Sequence, residues 1–361
     1  MKLVLVAFAI LLAPVGVMAQ MIAVESLPGL PKAASNNAVT LVENGDDVYL
    51  YSFLGLGSGK TWQDITSAAF VLNPGASRWT ALAPVPGEQG KLAASAVSAA
   101  GAAWLFGGYT VAADGSEVSV PGVYRVRPQE TELQWVADMP VPVDDAVILV
   151  YQDRYIYLVS GWHDLGNVNL VQVLDTRNMS WAQATPWPGE AVFGHAGGIV
   201  DDQMLVCDGV RIQYPADDSP RQFLASDQCW AGKIDKENHR RIHWRPVVKH
   251  PGAARYRMAA TGSSEPGSSE ADDLNQRVVF AGGSDNPYNF DGIGYNGVPA
   301  KAEKSVFSYS FATGEWQQHG KLPRGTMDHR GLLYSKGWYY LAGGMQDEQT
   351  VVSDVYRFRL E

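Results

Sequence analysis

Six apolar runs, each closing on glycine, recur along the chain: VYLYSFLGLG (48–57), AAWLFGG (102–108), YIYLVSG (155–161), QMLVCDG (203–209), RVVFAGG (277–283) and WYYLAGG (338–344). Runs of this length, rich in Val, Tyr, Phe and Trp and bounded by turn residues, predict strands buried on both faces. After each comes a loop and a second strand: TSAAFVLN, GVYRVRP, LVQVLD, QCWAGKI, SVFSYSF and DVYRFRL. Five of these units continue through a short turn to a tryptophan (Trp79, Trp135, Trp181, Trp244 and Trp316) and a segment bearing proline. The sixth stops at Glu361, before its tryptophan strand.

The missing strand lies at the other end. Residues 22–41, IAVESLPGLPKAASNNAVTL, align in kind with WTALAPVPGEQGKLAASAV of the first unit. The N-terminus therefore supplies the outer strand of the last unit and leaves no open sheet edge. Repeats of about 50 residues with a glycine turn, a Tyr and a Trp resemble the Kelch repeat. The resemblance implies an all-β, six-bladed Kelch-type propeller over residues 20–361, with the repeated aromatics packing between blades.

The stretch LGLGSGKTW (54–62) imitates a phosphate-binding loop but fails it. That motif needs glycine five positions before Gly59, where Leu54 stands, and a helix afterwards, where strand and turn residues follow. It is instead the first blade's form of the glycine turn, where close approach of neighbouring blades admits no side chain.

Residues 1–19 carry Lys2, an apolar run and Val17-Met18-Ala19, the pattern of a secretory signal peptide. The expected location is periplasmic or secreted, with no membrane association after cleavage. A net charge of −10 disfavours nucleic acid and anionic membrane as partners. Only 18% of residues are charged, against about 25% in average proteins, so the surface is carried largely by turns and aromatics. Cys207 ends one strand and Cys229 begins the next, so an oxidising compartment predicts a disulfide between them.

In a four-stranded meander, the start of each innermost strand and the loop after the glycine turn emerge on one face. That face collects Asp144 and Asp145, His195, Arg255 and Tyr256, and Asp328-His329-Arg330, together with His163, Arg211 and the insert SDNPYNFDGIGYNG with Tyr295 and Asn296. Carboxylates, imidazoles and guanidinium groups around one mouth suit a small polar or acidic sugar. The same aromatic, Asn-rich loops would equally serve a protein or glycan partner. Asp285, Asn289 and Asp291 echo a calcium loop without EF-hand spacing, so no metal is assigned. The insert SSEPGSSEADDLNQ (263–276) reads as a polar surface excursion.

Among Kelch propellers, the chain resembles the periplasmic N-acetylneuraminate (sialic acid) mutarotases. GLGSGKTW, RWTALAPVPG, and the region 280–322 from FAGG through YNG to KSVFSYS and GEWQQHGKL carry the resemblance. It implies a cofactor-free isomerase that needs a base, an acid and a cation for the sugar carboxylate. That family places a Glu after the Asn-Gly turn of its fourth blade. Here the turn is Asp208-Gly209, followed by Val210, with Arg211 and Arg221 beyond. Asp208 and His329 are the catalytic candidates on this reading. Arg211, Arg255, Arg330, Asp144, His195, His163, Tyr295 and Asn296 are the ligand-binding candidates. A galactose-oxidase-type copper site would need a cysteine joined to a ligand tyrosine, and both cysteines are committed to each other.

Overall fold

A computed structural model describes residues 20–217, 219–264 and 276–360. Residues 1–19, which the sequence reads as a signal peptide, and most of the 263–276 insert lie outside the described residues. Six four-stranded antiparallel sheets form the six blades of a β-propeller. Blade 1 is built from Ala38–Asn44, Asp47–Phe53, Ala69–Leu72 and Thr80–Ala81, running from the axis outward, and blades 2 to 5 repeat that order. Blade 6 holds Leu333–Ser335, Trp338–Ala342 and Val355–Phe358, and Val24–Ser26 completes it. The register is Val24 opposite Phe358, Glu25 opposite Arg357 and Ser26 opposite Tyr356. The ring is thus closed by the N-terminus.

The strand patterns follow from position. The second strand of each blade is covered on both faces by neighbouring blades, so AAWLF and YIYLV are buried at every residue. Outer strands such as Gln134–Asp138 face solvent and are exposed or half-buried throughout. The core is therefore a set of layers between blades. One joins Tyr51, Phe53 and Val71 to Leu105 and Tyr124, and another joins Leu205 and Cys207 to Phe280 and Phe307. Trp79 buries its ring and donates Nε1–H to Pro28 O at 2.8 Å. Trp135 departs from the expected packing: it lies on the outer rim, 59% exposed.

The glycine turns do two jobs. A Cβ on Gly343 would stand 2.2 Å from Ala34 O of the next blade. A Cβ on Gly55 would stand 2.7 Å from Ser35 O of its own blade, which corrects the neighbouring-blade reading of that position. The phosphate-loop lookalike folds around Asp64, whose Oδ2 accepts Thr61 N–H at 3.1 Å and Thr61 Oγ1 at 2.6 Å, capping the short 3-10 turn Trp62–Asp64. Cys207 and Cys229 face each other across paired strands and form a disulfide. Among the described residues no helix is long and apolar enough to cross a membrane.

Candidate functional site

Ahead of each innermost strand stands one residue in the left-handed region: Asn36, Ala93, Asp145, Gly194, Arg257 and Asp328, with φ between 50° and 65°. These six positions form a backbone ring about the axis. Asn36 N–H donates to Asp328 O at 2.9 Å, Asp145 N–H to Ala93 O at 3.0 Å, Gly194 N–H to Asp145 O at 2.9 Å and Arg257 N–H to Gly194 O at 2.8 Å. On either side of each, the residue before pairs with the residue following the glycine turn, as in Asp144 with Trp162 and Phe193 with Val210. The kink sends successive side chains to different places.

Four charged side chains plug the axis. Arg257 donates from Nε and Nη2 to Asp145 at 3.1 and 2.6 Å, and from Nη1 to Asp328 Oδ1 at 2.8 Å. Arg330 Nη1 holds Asp145 Oδ1 from the other side. Asn36 Nδ2 donates to Asp328 Oδ1 at 2.9 Å. The two arginines balance the two carboxylates, and every member is buried. Burial alone would push the Asp145 carboxyl up, but Arg257 and Arg330 outweigh it and hold it below the usual carboxylate range.

Above this plug, on the loop face, lies a cavity of about 200 Å³. Hairpins inserted after the glycine turns build its walls: Tyr109–Val111 with Glu117–Ser119, Trp162–His163 with Gly166–Asn167, and Val210–Gln213 with Gln222–Ala225. They supply Glu117, Trp162, Arg221 and Phe223, and the blade-5 insert adds Asn289, Phe290 and Tyr295. Tyr295 stacks on Phe223 at 4.1 Å, and Trp162 packs edge-on against Phe193 at 5.6 Å. Arg221 lies over Trp162 and Phe223 at 5.1 and 5.2 Å, exposed, with no ion pair among the described residues.

Two carboxyls in the wall are pushed up. Burial, then the neighbouring Asp145 charge, raises Asp144 well above the ordinary carboxyl range, and Ser119 Oγ donates to its Oδ2 at 2.6 Å. Glu117 stands at the mouth, exposed overall, yet packing around its carboxyl raises its pKa as well. The cavity therefore offers aromatic faces, two carboxyls of raised pKa, and a guanidinium at the rim.

Of the sequence-predicted site residues, Asp144 and Tyr295 line this cavity. Asp208 does not: its carboxylate is wholly buried, takes His250 Nε2 at 2.7 Å and caps Arg255 N–H at 2.8 Å. Asp208, a catalytic candidate on the sequence, thus stands away from this cavity lining. His329, the other catalytic candidate, has its Nε2 2.5 Å from Thr326 Oγ1 and lines the axial channel on the far side of the plug, with His195 and Arg330. Arg255 pairs with Glu303 at 3.0 Å and Arg211 with Glu190 at 3.4 Å, both away from the cavity lining. His163 accepts Leu165 N–H at 3.3 Å beside its own turn, and Asn296 exchanges hydrogen bonds with Asn286 in the loop. Asp291 Oδ1 accepts Ile293 N–H at 2.9 Å, and among the described residues no three metal-ligating side chains gather.

Sequence reasoning missed Arg257, Glu117 and Phe223. Arg257 was legible by aligning Tyr256-Arg257-Met258 with Asp144-Asp145-Ala146 and Met327-Asp328-His329, which sets one cation against two anions at equivalent positions. Glu117 follows Asp114-Gly115, a hairpin signal flanked by Val111 and Val118.

No family profile matches the chain, and no curated protein matches it. Among solved structures, that of YjhT superposes with a TM-score of 0.68 at 17% identity, covering 91% of this chain and 95% of that one. The likeness establishes the six-bladed Kelch-type propeller fold.

Proposed function

We propose that the loop-face cavity binds a small acidic sugar and that the protein interconverts its anomers, without a cofactor. The observation that carries this reading is the pair Asp144 and Glu117, two carboxyls of raised pKa in a cavity walled by Trp162, Phe223 and Tyr295. Aromatic faces take the apolar side of a pyranose, and carboxyls take its hydroxyls. Asp144, protonated, donates to the ring oxygen as the ring opens. Glu117, once ionised, removes the proton of the anomeric hydroxyl as the bond from the anomeric carbon to the ring oxygen breaks. Rotation of the resulting carbonyl about its bond to the carbon chain, then reversal of both transfers, gives the other anomer. Arg221, free to leave its aromatic bed, clamps the sugar carboxylate. The sequence resemblance to the sialic acid mutarotases supports the same reaction, and the disulfide and N-terminal segment support a periplasmic or secreted location.

Anomer-exchange NMR with sialic acid tests the reading, joined to titration calorimetry. The intact protein should accelerate exchange, and Asp144→Asn should remove the acceleration while keeping the binding heat. Arg221→Ala should weaken the acidic sugar by about 1.5–3 kcal/mol and leave neutral sugars unaffected. Leu165 and Tyr214, 87% and 65% exposed on hairpins of the same face, favour a second reading as a non-catalytic docking surface for protein or glycan. Absence of both exchange and heat with millimolar sugar would end the mutarotase reading and promote that one.

A further inference from the structure

The short strand Glu117–Ser119, in the hairpin inserted after the glycine turn of blade 2, carries two polar side chains on one face. Successive residues of a strand point to opposite sides. Val118 turns outward and is exposed, while Glu117 lines the loop-face cavity and Ser119 is buried. Ser119 directs both of its donors at blade 3. Its hydroxyl donates to Asp144 Oδ2 at 2.6 Å, and its backbone N–H donates to Asp164 Oδ1 at 2.8 Å, on the tip of the neighbouring hairpin. A three-residue strand is thus tied at two points to the next blade, and the tie registers Glu117 against Asp144.

The bond to Oδ2 governs how Asp144 can act. In a neutral carboxyl one oxygen carries the proton and the other accepts, so an Oδ2 that accepts from Ser119 places the proton on Oδ1. Asp144 lines the cavity, and Oδ1 is the oxygen that Ser119 leaves to it. The hydroxyl also favours the ionised form, because its bond to a carboxylate is stronger than its bond to the neutral acid. It therefore works against burial and the Asp145 charge, which push the carboxyl up; Glu117 adds to that push and Arg257 opposes it. Tyr109, opposite Ser119 in the hairpin, is coupled to the same charge and is itself held well above its ordinary pKa by burial. Arg221 completes the charged groups of the lining.

We propose that Ser119 is a positioning residue for Asp144: its hydroxyl turns the carboxyl so that Oδ1 faces the bound sugar, and Asp164 holds Ser119 in place from the next blade. The proposal rests on the acid–base reading of the cavity, and its test includes a readout that needs no turnover.

Infrared difference spectroscopy on the intact protein with carboxyl-labelled aspartate, parent against Asp144→Asn, follows the Asp144 carboxyl directly as pH is varied. In Ser119→Ala the band of the neutral carboxyl should move to higher frequency, because its carbonyl has lost a donor, and the titration midpoint should rise. Ser119→Thr, which keeps the hydroxyl, should restore both. Anomer exchange at saturating sialic acid should fall about tenfold in Ser119→Ala, with the half-saturation concentration changed by less than about twofold. Asp144 must be protonated to act as the acid, so the high-pH limb of the rate profile should move upward with the midpoint. Asp164 is exposed, so its variants serve should Ser119→Ala fail to fold. Asp164→Ala should show the same changes in part, and Asp164→Asn, which keeps an acceptor and drops the charge, should show less of them. An unmoved band and midpoint in the folded variants, or equal losses in Ser119→Thr and Ser119→Ala, would overturn the proposal. A band shift with no exchange by the parent would support the hold of Ser119 on Asp144 and end the mutarotase reading instead.

Discussion

Replacing Arg257 by Met would break the axial plug at its centre. The guanidinium supplies three hydrogen bonds of 2.6 to 3.1 Å to Asp145 and Asp328, whose side chains are 2% and 0% exposed. Without it, Asp145 keeps Arg330 and Asp328 keeps Asn36, so two buried carboxylates share one cation. Removing one partner of a buried ion pair costs about 3–5 kcal/mol, and Met refills much of the aliphatic volume, so little is added for a cavity. With an unfolding entropy of about 2.1 cal/mol/K per residue, a chain of this size should melt about 4–7 °C lower. Guanidinium chloride unfolding followed by tryptophan fluorescence, with calorimetry beside it, measures both quantities.

The deficit should also depend on pH in a defined direction. Asp145 is held below its ordinary pKa in the folded protein, so its stabilisation is present above the unfolded value near 3.9 and is lost as pH falls through the folded one. In the variant, the uncompensated carboxylates gain protons more readily and become neutral. The gap between parent and variant should therefore narrow from pH 7 towards about pH 4. A loss below about 1 kcal/mol at pH 7, or a gap that stays constant on acidification, would refute the view of the plug as a balanced buried charge network.

Three further outcomes follow from other parts of the fold. The Cys207→Ser, Cys229→Ser protein should lose about 3 kcal/mol, because the bond closes a 22-residue separation; two titratable thiols in the unreduced, unfolded parent would contradict the pairing. Deleting residues 20–35 removes Val24–Ser26 and buried Leu30 and Ala34, exposes the edge of Val355–Phe358, and should cause aggregation visible by light scattering; a monomer of unchanged melting temperature would contradict the closure. His250 sets Nε2 2.7 Å from Asp208 Oδ2 and Nδ1 3.1 Å from Pro251 O. Burial pulls its pKa down, but Asp208 outweighs burial and raises it, so the stability it contributes is full below the unfolded value of about 6.5 and lost as pH rises through the folded one. An imidazole NMR titration should show its midpoint above about 6.5, falling below that in Asp208→Asn.

Much of the architecture was legible in the chain because it is written in short-range pattern. A strand covered on both faces must be apolar throughout, so AAWLF and YIYLV announce their own burial. Six glycine turns count the blades, the orphan N-terminal segment shows how the ring closes, and two cysteines at the ends of successive strands mark their own bond. The placement of site residues is different in kind, because one left-handed residue ahead of each innermost strand separates neighbours in sequence. Asp144 enters the loop-face cavity, Asp145 the plug, and Ala146 the axial channel on its far side. The same kink sends His195, His329 and Arg330 away from the mouth they were expected to share with Tyr295. Asp208 is withdrawn by His250, 42 positions away, and Arg257 becomes central through Asp145 and Asp328, 112 and 71 positions away. Local periodicity determines which residues lie in strands and turns, but only closure of the ring brings those distant charges to one axis, where low dielectric makes their pairing decisive.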